Sequence, residues 1–114
     1  MAETKKYPGP SEEELAALKA KYKKITRIVF DEDTVYYIRE ITRREHRLIM
    51  EGVKKLDQNI QAERGDEMLV QTAVVWPTIQ PDDYANTGAG YIPTLALTIM
   101  AQSGFRDPVV IEAV

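Results

Sequence analysis

His46 is the only histidine in the chain, and the only side chain whose ordinary pKa lies in the middle of the physiological range. It stands in Arg44-Glu45-His46-Arg47, a cationic, helix-like stretch. Metal chemistry there would need a second histidine or a cysteine as co-ligand, and the chain has neither; catalysis would need a paired base or acid that the sequence does not display. There is no cysteine, so thiolate ligands, a thiol nucleophile and disulfides are excluded together. His46 therefore reads as a solvent-facing structural residue. Asp31-Glu32-Asp33 could attract a hard cation but lacks the glycine and distal glutamate of a calcium loop, and reads as a solvated turn. Gly88-Ala89-Gly90-Tyr91-Ile92-Pro93-Thr94 leads into a helix, as phosphate loops do. It lacks both the Lys-Ser/Thr pair of a nucleotide loop and the third glycine of a dinucleotide loop, so a turn with positive φ is expected. No catalytic, cofactor-binding or metal-binding set is expected, and no enzymatic activity.

The most suggestive polar feature is Arg39, Arg43, Arg44 and Arg47, because guanidinium forks dock carboxylates bidentately and recur at protein interfaces. Two readings stand. The cluster can meet a partner's acids, or Glu40 and Glu45 can satisfy it within the domain, where exposed pairs contribute only about 0 to 1 kcal/mol. Tyr36, Tyr37, Trp76, Tyr84 and Tyr91 could anchor a partner as well, although Trp76 suits a core position better.

These residues need a scaffold, and 114 residues have room for one hydrophobic core. An apolar fraction of 44% and a charged fraction of 29% are ordinary for a globular domain and argue against disorder. The absence of cysteine suits a reducing compartment. The charged N-terminus, Met-Ala-Glu-Thr-Lys-Lys, has no apolar centre and does not read as a secretory signal. Tyr91 to Ala101, the longest apolar stretch, falls well short of the roughly 20 residues needed to span a bilayer, so no membrane role is expected. The net charge of −3 hides an asymmetry: residues 1 to 60 hold 13 of the 15 Lys and Arg but 11 of the 18 acids, leaving +2 there and −5 beyond. Because Glu12 to Glu14, Asp31 to Asp33, Glu45 and Glu51 interrupt the basic residues, nucleic acid is not an expected partner.

Along the chain, residues 1–10 carry Pro8, Gly9 and Pro10 and read as an extended, mobile arm. Ser11-Glu12-Glu13-Glu14 has capping-box spacing and opens an amphipathic helix through Leu15, Leu18 and Tyr22. Alternation from Ile25 to Phe30 and from Thr34 to Glu40, joined by the acidic turn, predicts a two-stranded antiparallel β-hairpin that must pack on helices. Thr42-Arg43-Arg44-Glu45 is a second capping box, and Ile49, Val53 and Leu56, with Leu48 beside them, give its helix an apolar face. After a polar link, Asp57 to Gly65, Asp66 is expected to cap a third, central helix running through Trp76 to its stop at Pro77. Thr78 to Gly90 reads as a loop, with one possible helical turn at Asp82-Asp83-Tyr84-Ala85. A fourth helix from Pro93 carries Leu95, Ala96, Ile99 and Met100 and stops at Ser103-Gly104, where Phe105 can fold back as a clasp. Residues 106–114 read as a tail whose β-rich Val109-Val110-Ile111 suits either a docking strand or disorder. The fold class expected is α+β: one domain over residues 11–105, with an N-terminal helix, a hairpin and a three-helix C-terminal part packed on it.

Taken together, the pattern resembles the small tail assembly chaperones of long-tailed bacteriophages. The similarity lies in Glu13-Glu14-Leu15-Ala16-Ala17-Leu18-Lys19-Ala20-Lys21-Tyr22, the hairpin, and Tyr37-Ile38-Arg39-Glu40-Ile41-Thr42-Arg43-Arg44-Glu45. Ala73-Val74-Val75-Trp76-Pro77 resembles that family's apolar helix closing on proline, and Ser103-Gly104-Phe105 the close of its last helix. The loop Thr78 to Gly90 and the tail beyond Phe105 depart from it. The resemblance implies a non-enzymatic protein of the host cell cytoplasm that binds the tape-measure protein during tail assembly and keeps its long apolar helices soluble. The alternative is a structural subunit of the tail or baseplate, located in the virion, with its two arms ordered by neighbouring subunits. Arg39, Arg43, Arg44, Arg47, Tyr91, Leu95, Ile99 and Met100 are the residues expected to meet a partner protein, and a homo-oligomer is left open.

Overall fold

The computed structural model describes residues 7–104 and Ala113. Two expectations, the clasp by Phe105 and the docking strand or disorder of the tail at Val109 to Ile111, lie outside the described residues, as does the arm before Tyr7.

The domain is α+β, in the order α1 Glu12–Lys21, β1 Ile25–Val29, β2 Val35–Arg39, α2 Arg43–Lys54, α3 Gln61–Ala73, β3 Val74–Trp76 and α4 Tyr91–Gln102. Short 3-10 turns at Gln58–Ile60 and Pro81–Asn86 complete it. Both capping boxes form. The Ser11 hydroxyl accepts from the Glu14 N–H and the Thr42 hydroxyl from the Glu45 N–H, each at 3.1 Å, and both glutamates reach back to the cap N–H.

Although capped alike, the two helices are buried to different extents. On α2, Ile49 and Val53 reach the core, whereas α1 buries nothing completely and its Leu15 and Leu18 stay half-exposed. The hairpin pairs Ile25 with Arg39 through Val29 with Val35, and its turn is closed by Asp31 Oδ1, which accepts from the N–H groups of Asp33 and Thr34 at 2.8 and 2.9 Å. Those two donors hold the Asp31 carboxyl below the usual carboxylate range, the Asp33 bond first. This is the solvated turn expected from the sequence.

The second half departs from expectation in two places. The third helix starts at Gln61, so Asp66 lies inside it and is not its cap. It also ends at Ala73: Val74–Trp76 leaves the helix and pairs antiparallel with β2, making a three-stranded sheet of order β1-β2-β3 with β2 in the centre. Two consecutive valines and a tryptophan favour extended backbone, and β2 offers them a free edge. Trp76 is consequently only half-buried, edge-on to Tyr37 at 5.9 Å, and not a core residue.

Tyr36 and Ile38 of β2 point into a core completed by Ile41, Val70, Ala73, Leu95 and Ile99. The α3 helix packs against both α2 and α4, the central position expected for it. The other face of the sheet is partly covered by residues 7–10 and Tyr22. Arg27 stacks over the Tyr7 ring at 5.3 Å, and a β carbon on Gly9 would stand 3.0 Å from the Tyr37 hydroxyl, so this stretch of the arm lies against the sheet. The end of α4 is tied to the first half: the Ile41 N–H donates to Ser103 Oγ at 2.8 Å, and the Gln102 amide donates to the Thr26 hydroxyl. Gly104, at φ +102, makes the left-handed stop after α4.

Candidate functional site

The arginine cluster divides. Arg39, at the end of β2, reaches forward to the first turn of α2 and holds Glu45 with both guanidinium nitrogens, at 2.9 and 2.6 Å. It also donates to the Glu40 carbonyl and stacks on the Tyr22 ring at 4.9 Å. The hydrogen bonds from Arg39 drive the Glu45 carboxyl down to about 2, and the same pairing raises the Arg39 pKa. Arg39 is thus committed to joining sheet to helix, the intramolecular reading of the two that the sequence left open. Arg43, Arg44 and Arg47 are exposed on α2 and, among the described residues, make no ion pair.

The apolar half of the expected surface is corrected more sharply. Leu95 and Ile99 have 0% exposure and belong to the core. The cause is that α4 sits under α3 and the sheet, so its apolar face is used up in folding. Tyr91 is half-buried with its ring 4.5 Å from that of Phe30, and Met100 is half-buried at the edge of a pit among α2, α3 and α4. Gly88 and Gly90 have no positive φ; Gly90 precedes α4 at φ −89, and the expected positive-φ turn does not occur. The loop is instead pinned by Tyr84, whose hydroxyl donates to Gln71 Oε1 at 2.8 Å and whose burial raises its pKa. Among the described residues no group of three or more His, Cys, Asp or Glu could hold a metal ion, and no helix is long and apolar enough to cross a membrane.

The surface that stands out lies between α2 and α3. A shallow groove of about 480 Å³ is lined by Leu48, Ile49 and Gly52 of α2 and by Met68, Gln71 and Thr72 of α3, with Glu45 at one end. Leu48, grouped by periodicity with core residues, is 59% exposed. Gly52 removes a side chain from the middle of α2, and the Met68 thioether is its nearest neighbour across the groove. The Thr72 hydroxyl is satisfied by the Met68 carbonyl at 2.8 Å, so it adds little polarity to the floor. Such a strip of aliphatic and thioether surface, with no ionised group among its lining residues except the already paired Glu45, is suited to an apolar helix face.

The pit among α2, α3 and α4 is a second opening, of about 330 Å³, with Met50, Val53, Leu69 and Met100 in its walls and His46 and Asp66 at its edges. Met50 is 42% exposed there. Asp66 is half-buried, and that burial raises its carboxyl pKa.

The residues that the sequence reading missed are Leu48, Gly52 and Met68. One signal was present: a glycine in the middle of a strongly periodic helix costs roughly 1 kcal/mol against alanine and asks for a reason. The fold and groove together define a small α+β domain with an open apolar helix–helix surface. In comparisons with family models, curated proteins and solved structures, nothing matches this chain.

Proposed function

We propose that the chain is a non-enzymatic assembly chaperone of a long-tailed bacteriophage, which holds apolar helices of the tape-measure protein during tail morphogenesis in the host cytoplasm. The observation that carries the binding half of this reading is the α2–α3 groove, with Leu48 exposed at its rim and Gly52 and Met68 at its floor. An amphipathic helix laid there would cover aliphatic surface at roughly 25 cal/mol per Å², and the methionine can adapt to different side chains along a long, repetitive ligand. The phage half rests on the resemblance of Tyr37 to Glu45 and of the other segments named above.

Co-expression with the phage's tape-measure protein tests both halves. The expected outcome is a soluble complex whose recovery falls in Leu48→Lys. Equal solubility of the long protein with and without this chain, and no recovered complex, overturns the proposal. Mass spectrometry of purified particles separates the alternative: a chaperone is absent, whereas a tail or baseplate subunit is present at fixed stoichiometry.

A further inference from the structure

Arg43, Arg47, Met50 and Lys54 recur at i, i+4, i+7 and i+11 of α2, a spacing that puts them on one line along the helix. All four are exposed, and among the described residues none of the three cations has an ion pair. Of the acids on α2 itself, Glu45 is already held by Arg39, and Glu51 forms no ion pair with any of them. Met50 joins this line to the second opening, whose apolar walls are Ile49, Val53, Leu69 and Met100. On the far wall α3 contributes Asp66, whereas Glu63 lies on the other side of α3, towards Tyr84 and Ala85. Among the described residues Asp66 has no hydrogen-bond or ion-pair partner, and its half-buried position makes the lone charge costly. His46 also faces this opening from α2.

An apolar floor with a line of unpaired cations on one side and an unpaired carboxylate, Asp66, on the other is complementary to itself. Turning a second copy by two-fold rotation brings each α2 edge onto the other copy's α3 edge, twice over, while the two exposed Met50 side chains meet the apolar walls. We infer that a second copy of this chain docks on the pit among α2, α3 and α4 through a two-fold contact, in which Arg43, Arg47 and Lys54 of each copy face Asp66 of the other. This surface is separate from the Leu48 groove, so a dimer built on it leaves that groove open, and either inference can fail without the other.

Sedimentation velocity of the full chain across a dilution series, at low and high salt, is the test. The expected result is a monomer–dimer equilibrium weakened by salt. Charge reversal by Arg43→Glu/Arg47→Glu, or by Asp66→Lys, is expected to raise the dimer dissociation constant about tenfold or more. An equimolar mixture of the two reversed chains should recover wild-type association, because the mixed pair faces opposite charges at both contacts. Circular dichroism checks that each variant is folded, and the isosteric Asp66→Asn, for which a weaker and less salt-sensitive dimer is expected, replaces Asp66→Lys if that chain does not fold. A monomer at every concentration overturns the inference. So does a dimer indifferent to both reversals, a mixture that fails to recover, or a dimer abolished by Leu48→Lys instead.

Discussion

Gly52 of α2 faces Met68 of α3 across the floor of the groove, with Met68 Cε lying 3.7 Å from where a β carbon on residue 52 would stand. That distance is ordinary van der Waals contact, so an alanine fits without displacing anything. Gly52→Ala is therefore expected to stabilise the fold by about 0.5 to 1 kcal/mol, since glycine is the poorer helix residue. The added methyl also fills the floor, so the same variant should capture less partner helix. Urea unfolding and pull-down from the same preparation test this pairing; lower stability, or undiminished capture, would contradict the role given to the groove.

Leu48 and Leu95 give opposite expectations for the same residue type. Leu48→Lys changes a 59% exposed side chain and should shift stability by no more than about 0.5 kcal/mol. Leu95→Ala empties a site of 0% exposure and should cost about 2 to 5 kcal/mol. Thermal melts of the two variants are sufficient to compare them.

The Arg39–Glu45 pair predicts a response to acid. Glu45 has its carboxyl held down to about 2 from an ordinary 4.5, so its contribution is complete above pH 4.5 and is lost as the pH falls from there towards 2. Solvent reaches both groups, which limits the contribution to roughly 1 to 2 kcal/mol. Glu45→Gln should lower stability by that amount at neutral pH and flatten the decline between pH 4.5 and 2. Denaturant titrations at several pH values would show it, and an unchanged slope would remove the pair from the account.

The two capping boxes should behave differently when broken. Thr42→Ala uncaps α2, which carries Ile49 and Val53 into the core, and is expected to cost about 1 kcal/mol of global stability. Ser11→Ala uncaps α1, which buries no residue completely, and should fray that helix with little global effect. Hydrogen exchange resolved by residue distinguishes local fraying from global loss.

Both capping boxes, the hairpin with its acidic turn, and the fourth helix were legible because each is set by interactions within a few residues. Thr42 and Glu45 satisfy each other's backbone groups whatever surrounds them. Val74–Trp76 was not legible, because a short apolar run following a helix has no period of its own and the free edge of β2 decides its state. The start of α3 at Gln61 was hidden for a related reason. Ile60, at the cap position, makes no side-chain cap, and Gly65 inside the helix imitates a break. At the candidate site, periodicity marked the apolar positions of α2 and α4 correctly but could not rank them. Burial of Leu95 and exposure of Leu48 depend on where α3 packs, and that is a tertiary fact.

The bond from the Ile41 N–H to Ser103 Oγ spans 62 positions of sequence. Ile38 lies under residues that α4 supplies, Leu95 and Ile99 among them. A nascent chain leaving the ribosome therefore exposes the hairpin and α2 well before the segment that covers them has been made. Closure of the core therefore waits for α4, and the apolar face of β2 stays uncovered until that helix has followed it out.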